Sequence, residues 1–125
     1  MLKKVLIVDD QPDIRKLILM TMESEGYQLH EAINGEDALR SAHNLRPDVV
    51  LLDVMMPGLL DGYQVCEKIK NDPLLQLTTK VILLTARGQL TDIARGKAVG
   101  SDAYLVKPFS PLELIDTVDR LVMQS

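Results

Sequence analysis

Four short apolar runs punctuate the chain: Val5-Leu6-Ile7-Val8, Val49-Val50-Leu51-Leu52, Val81-Ile82-Leu83-Leu84 and Ala103-Tyr104-Leu105-Val106. They are continuous, without polar alternation, which predicts strands buried on both faces. A fifth segment, Tyr27 to Ala32, mixes Tyr27, Leu29 and Ala32 with Gln28, His30 and Glu31, and predicts an edge strand. Between the runs the apolar spacing turns helical. Ile14, Leu17, Ile18 and Met22 follow Pro12, a residue suited to a first helical turn, and Ala38, Leu39 and Ala42 follow the cap-like Asn34-Gly35-Glu36-Asp37. Val65 and Ile69 mark a third helix ending near Asn71-Asp72-Pro73. A fourth, from about Gln89 to Val99, has Ile93, Ala94 and Ala98 as its expected inner face and stops at Gly100. The fifth opens on Ser110-Pro111-Leu112-Glu113, an N-cap serine with proline at the first helical position and glutamate three residues past the cap, ahead of Ile115, Val118 and Val122. Five strands alternating with five helices predict an α/β fold, a doubly wound parallel sheet with helices on both faces, because parallel neighbours need right-handed crossovers.

Composition narrows this frame. A chain of 125 residues is about one domain at ~150 residues per unit, so the expected organisation is a single domain over residues 1–125. With 46% hydrophobic residues, the core needs no disulfide or structural metal. The single cysteine, Cys66, has no internal partner and reads as a small buried or half-buried side chain; with no signal-like segment at the N-terminus, a cytoplasmic location is expected. Net charge of −4 leaves no positive excess to neutralise a phosphate backbone, so direct nucleic-acid binding is not expected. The longest apolar runs have four residues where a bilayer span needs about 20, so no membrane partner is expected either. No repeat, low-complexity stretch or linker interrupts the chain, and it ends soon after the fifth helix, which predicts no output domain and signalling by protein contact.

The residues at the ends of the runs carry the chemistry. Asp9-Asp10 follows the first strand, Asp53 the third, Thr85 the fourth and Lys107 the fifth. Singly, each has an ordinary structural explanation: a capping or turn aspartate, a strand-end hydroxyl, a solvated lysine. Jointly they fall on the carboxyl edge of the sheet, where open α/β folds bind ligands at the switch in strand order. Two carboxylates about 5 Å apart at an effective dielectric near 20 repel by about 3 kcal/mol, so three favour a divalent cation or raised pKa values. Mg²⁺ suits such a set, since it prefers oxygen ligands and accepts one or two carboxylates together with phosphate oxygens. A carboxylate beside Mg²⁺ and a lysine can attack phosphorus, giving an aspartyl phosphate. His30 and His43 stand apart from this cluster, and the six methionines read as packing residues.

With these residues in place, the chain resembles the receiver domain of a bacterial two-component response regulator. The matching pieces are VLIVDDQ at Val5–Gln11, LLDVMMPG at Leu51–Gly58, VILLTA at Val81–Ala86 and DAYLVKPF at Asp102–Phe109. The resemblance implies a flavodoxin-like strand order 2-1-3-4-5. It implies that Asp53 is the phosphoacceptor, that Asp10 ligates Mg²⁺ directly, Asp9 mostly through water and Met55 through its backbone carbonyl. Lys107 would contact a phosphoryl oxygen, and the Thr85 hydroxyl would move to the attached phosphoryl group. Tyr104 would turn inward with it, remodelling the surface of the fourth helix, fifth strand and fifth helix; an ordinary sheet tyrosine with its hydroxyl in water is the simpler alternative. Met55 and Arg87 would tune the lifetime of the phosphoryl group, and the Lys107-Pro108 bond is expected to be cis. The implied partners are a sensor histidine kinase or phosphotransfer protein, or a small phosphodonor, and downstream a protein target or an output domain elsewhere.

Two features depart from the family pattern. Asp61-Gly62 stands one residue further from Asp53 than is usual, so Gly58-Leu59-Leu60 carries an extra residue. An arginine near Thr117 and a second acid at Ala103, which accompany dimerisation in DNA-binding members, are absent, so a monomer or a weak phosphorylation-dependent dimer is expected. No enzyme turnover is expected beyond self-phosphorylation and autodephosphorylation. A metal-dependent phosphatase is the first alternative, but the acids are adjacent and no dedicated general acid is present. A nucleotide or flavin module would need glycines where Asp9-Asp10-Gln11-Pro12 stands. A receiver-like domain that no longer accepts phosphate is opposed by the intact acidic set and Lys107.

Overall fold

The computed structural model describes residues 2–86 and 90–124. The elements alternate along the chain: β1 (Lys4–Val8), α1 (Pro12–Met22), β2 (Gln28–Ala32), α2 (Gly35–Leu45), β3 (Val49–Asp53), α3 (Gly62–Asn71), β4 (Lys80–Thr85), α4 (Leu90–Ala98), β5 (Ala103–Val106) and α5 (Pro111–Met123). All strand pairs are parallel, and the order is β2-β1-β3-β4-β5. This is the flavodoxin-like arrangement that the sequence predicts. The chain begins at β1, moves outward to β2 and returns to β3 on the other side, so the connections leaving β1 and β3 diverge and open a crevice at their carboxyl ends.

The continuous apolar runs become two cores separated by the sheet. Leu6, Val8, Val50, Leu52, Val81 and Leu83 face α2 and α3, where Ala38, Ala42, Val65, Cys66 and Ile69 meet them. Val5, Ile7, Val49, Leu51, Ile82 and Leu84 face Ile18 and Met22 of α1 and Leu114, Val118 and Leu121 of α5. Period-two side chains in a run with no polar member supply both faces at once. The caps read from sequence are present: Asn34 accepts from the Asp37 amide at 2.8 Å and Ser110 from the Glu113 amide at 3.0 Å.

The apolar residues of α1 divide between two faces, and the expected inner face of α4 is corrected. Leu17 points outward and is 53% exposed, while Ile18 and Met22 carry the inner face of α1. In α4, Ala94 and Ala98 are exposed, and the inner face is Ile93, Gly96 and Val99. The reason is close approach: a Cβ at Gly96 would stand 3.1 Å from a Leu83 methyl, so this turn lies against β4 where only hydrogen fits comfortably. A count of apolar residues cannot see a glycine used in that way. Gln89, the predicted start of this helix, lies outside the described residues. Among the described residues no helix is long and apolar enough to cross a membrane.

The amino-terminal end of the sheet is closed by paired charges. Lys70 donates to Asp102 at 2.8 Å and to the Thr79 carbonyl at 3.0 Å, and the same Asp102 oxygen accepts from the Val81 amide at 2.8 Å. Asp48 accepts from the Lys4 amide at 2.8 Å. His43 and Asp72 meet at 2.5 Å between the ends of α2 and α3. The carboxyl-terminal end is built differently.

Candidate functional site

Asp9 leaves β1 fully buried. One of its carboxylate oxygens accepts from the Gln11 amide at 2.9 Å, which turns the chain into α1, and the other accepts from Lys107 Nζ at 2.9 Å. Asp53 closes β3, 5% exposed, and accepts from the Met55 amide at 3.2 Å. Lys107 Nζ stands 3.4 Å from Asp53 Oδ1, so one ammonium spans the two buried carboxylates. Asp10, the least covered of the acids, completes the group. Ligand oxygens of Asp9, Asp10 and Asp53 lie within 4.8 Å of one another.

Burial raises the Asp53 pKa from 3.8 to about 6, and the charge of Asp9 adds to the rise; the Met55 amide and Lys107 pull the other way without cancelling it. Three carboxylates against one ammonium leave the site short of positive charge. An all-oxygen donor set is the kind a hard divalent cation takes, and the residues present fit Mg²⁺ better than a softer metal.

The remaining predicted residues are placed around this group. Thr85 ends β4, is buried, and its carbonyl accepts from the Lys107 amide at 2.7 Å, which fixes the turn that carries the lysine. The Lys107-Pro108 bond is cis, as expected. Met55 is exposed on the loop after β3, with its amide committed to Asp53. Tyr104 on β5 is 42% exposed, turned outward over a cavity of about 10 Å³ lined by Tyr63, Thr85, Ile93 and Gly96. Arg87 lies outside the described residues. His30 and His43 are remote from the acids, as expected. Cys66 is fully buried, and burial pushes its thiol up to about 12, which leaves it unreactive.

The loop with the extra residue still seats α3 on the site. Asp61 caps α3 by accepting from the Gln64 amide at 2.9 Å, while Gln64 accepts from the Asp61 amide at 2.9 Å, a complete capping box. A Cβ on Gly62 would fall 2.3 Å from the Asp53 carbonyl oxygen, so glycine is the residue that lets this helix start against β3. In this loop Gly58 stands at φ +107°, and Leu59 is turned into solvent with its amide donating to Glu36 at 3.1 Å.

Sequence reading missed Arg15. From α1 it donates to the Asp9 carbonyl at 2.7 Å and to Glu31 at 3.1 Å, bracing the turn that presents both amino-terminal acids. An arginine on a helix carries no signal that distinguishes this from a solvated charge.

A parallel sheet gathers three acids and a lysine at its switch point, and the comparisons with known proteins assign this arrangement to a family. The family model described as "Response regulator receiver domain" matches residues 5–119. The chain belongs to that family, the receiver domains of two-component signalling. It is similar to the transcriptional regulatory protein ResD of Bacillus subtilis, 40% identical over 122 residues, which are 98% of this chain and 49% of that protein. Among solved structures it is similar to the chemotaxis response regulator CheY4 of Vibrio cholerae, at 34% identity and TM-score 0.89, with 97% of this chain and 99% of that one covered. It is also similar to the beryllofluoride-activated DrrB receiver domain, at 32% identity and TM-score 0.88, with 99% and 100% covered. The chain spans about half the length of the curated relatives it matches.

Proposed function

We propose that this chain is a phosphorylation switch in which Asp53 is the acceptor. The observation that carries the reading is the buried pair Asp9 and Asp53 spanned by one lysine, with Asp10 beside them. An Asp53 oxygen attacks the phosphorus of a phosphohistidine, on a sensor kinase or phosphotransfer protein, or of a small acyl phosphate. The new bond is Asp53 O–P; the bond that breaks is P–N of the histidine or P–O of the acyl phosphate, whose leaving group departs with the electron pair. Asp9, Asp10, Asp53 and the Met55 carbonyl would hold Mg²⁺, which neutralises charge on the acids and the phosphoryl oxygens. Asp9 would act mostly through water. Lys107 draws on its position between Asp9 and Asp53 to contact a phosphoryl oxygen.

Once Asp53 carries the phosphoryl group, the Thr85 hydroxyl moves to bond it and Tyr104 follows inward. The partner surface is that of α4, β5 and α5. Its support is the exposure of Tyr104, Val106 and Leu112 together on β5 and the start of α5. Phosphorylation shifts an existing equilibrium by the difference in contacts between the two states, and hydrolysis of the acyl phosphate ends the signal. The output is a protein target or a linked domain, in the cytoplasm, with no turnover beyond self-phosphorylation and autodephosphorylation.

The test is intact mass after incubation with acetyl phosphate, with and without Mg²⁺, for the wild type and Asp53→Asn. A Mg²⁺-dependent gain of one phosphoryl group, lost in the variant, is expected; no gain, together with no binding of beryllofluoride, would overturn the reading. Lys107→Ala should impair switching more than metal binding. Phosphorylation-dependent partner affinity equal to wild type in that variant would remove its assigned role.

A further inference from the structure

Arg95 on α4 makes two contacts that the site does not require. Its guanidinium carbon lies 4.2 Å from the centroid of the Tyr63 ring, and Nη2 stands 3.6 Å from Asp61 Oδ2. Both partners belong to the start of α3. Asp61 caps that helix, Gly62 presses on the Asp53 carbonyl, and the Tyr63 ring is buried in the core beneath. The start of α3 therefore cannot shift without disturbing the end of β3, and α4 is fastened to that seat.

Behind Arg95, α4 roofs the cavity under Tyr104. Its volume of about 10 Å³ holds roughly one water, far less than a phenol ring. Ile93 and Gly96 of α4 and Tyr63 of α3 all line it. Movement of Thr85, which also lines the cavity, frees part of the room that the Tyr104 ring needs, displacement of α4 from β4 supplies the rest, and that displacement separates Arg95 from Tyr63 and Asp61. We infer that Arg95 is a positioning residue for the switch: it holds α4 on the start of α3, opposes inward rotation of Tyr104, and so sets how much of the protein is in the active arrangement before and after phosphorylation. This rests on the proposed function for its role in signalling, while the latch itself is a matter of α4 position.

A stacked guanidinium and a partly exposed ion pair each change an equilibrium constant by about threefold to fivefold. Arg95→Ala is thus expected to bind beryllofluoride with Mg²⁺ about threefold to tenfold more tightly than wild type, with Mg²⁺ affinity in the absence of beryllofluoride unchanged. Arg95→Lys, which keeps the charge but not the planar stack, should fall between. The second readout needs no phosphoryl chemistry: the Tyr104 ring resonances of the ligand-free protein, followed by NMR, should shift toward the buried environment in Arg95→Ala and return part of the way in Arg95→Lys. Wild-type Tyr104 resonances and unchanged beryllofluoride affinity in a folded Arg95→Ala would overturn the latch. Loss of beryllofluoride binding in wild type and variant alike, with the Tyr104 shift present, would instead overturn the phosphorylation reading and leave the latch standing.

Discussion

At the amino-terminal end of the sheet, Asp102 receives the Lys70 ammonium and the Val81 amide, each at 2.8 Å, whereas at the carboxyl end Asp9 and Asp53 share one lysine and Asp10 adds a third charge. Both ends use aspartates and a lysine set at or near the ends of strands and helices. At the amino end each carboxylate has donors of its own: Asp102 and Asp48 tie a helix or turn to a strand, and Asp72 ties α3 to α2. At the carboxyl end three carboxylates share one ammonium, and burial, with the charge of Asp9 adding to it, raises the Asp53 pKa to about 6. The first arrangement holds the fold together, and the second leaves carboxylates in excess of cations, a surplus that, under the proposed function, a divalent cation would offset.

Breaking the amino end should have the largest effect. Asp102→Ala leaves a largely buried ammonium and the Val81 amide without their acceptor, and should cost about 2 kcal/mol in urea unfolding. A loss below about 0.5 kcal/mol would mean that Lys70 finds another partner and that the two ends differ less than described.

The opposite change is expected at the carboxyl end. Asp53→Asn removes a charge held at a raised pKa, and without metal at pH 7.5 should stabilise the protein by about 1 kcal/mol. Mg²⁺ should raise the melting temperature of the wild type and do little for this variant.

The pH dependence separates the two ends further. Asp53 binds its proton more tightly when folded, so its penalty is complete above about pH 6 and disappears as pH falls toward the unfolded value of 3.8. The His43 pKa is also raised, chiefly by its hydrogen bond to Asp72. Its stabilisation is complete below the unfolded pKa of 6.5 and is lost as pH rises through the folded value. Both groups thus favour the folded state on acidification from pH 7.5 to 5. Melting curves at the two pH values should show Asp53→Asn losing the larger share of that gain and His43→Gln the smaller. An unchanged pH profile in His43→Gln would remove the exposed His43–Asp72 pair from the account.

Much of this contrast is legible in the sequence for one end and hidden for the other. The apolar runs locate β1, β3, β4 and β5, and the polar residue that ends or follows each run locates Asp9, Asp53, Thr85 and Lys107, because a parallel sheet gathers its carboxyl ends on one edge. The amino-end ties are not visible in that way. Lys70 and Asp102 are 32 residues apart, in a helix and a turn, and nothing local marks them as partners. Arg15 and Arg95 are missed for the same reason: a long side chain chooses its partner through tertiary geometry. Spacing places Ala94 and Ala98 on the inner face of α4, but helical spacing gives a stripe and not its rotation, and Gly96 turns α4 toward β4.

The most direct test is a carbon-detected NMR titration of the Asp53 carboxyl without metal and again with saturating Mg²⁺. The account predicts an apparent pKa near 6 in the metal-free protein and a fall below the ordinary carboxylate range when Mg²⁺ is bound. A metal-free Asp53 that titrates at its ordinary 3.8, unmoved by Mg²⁺, would contradict the claim that the carboxyl end is left short of positive charge.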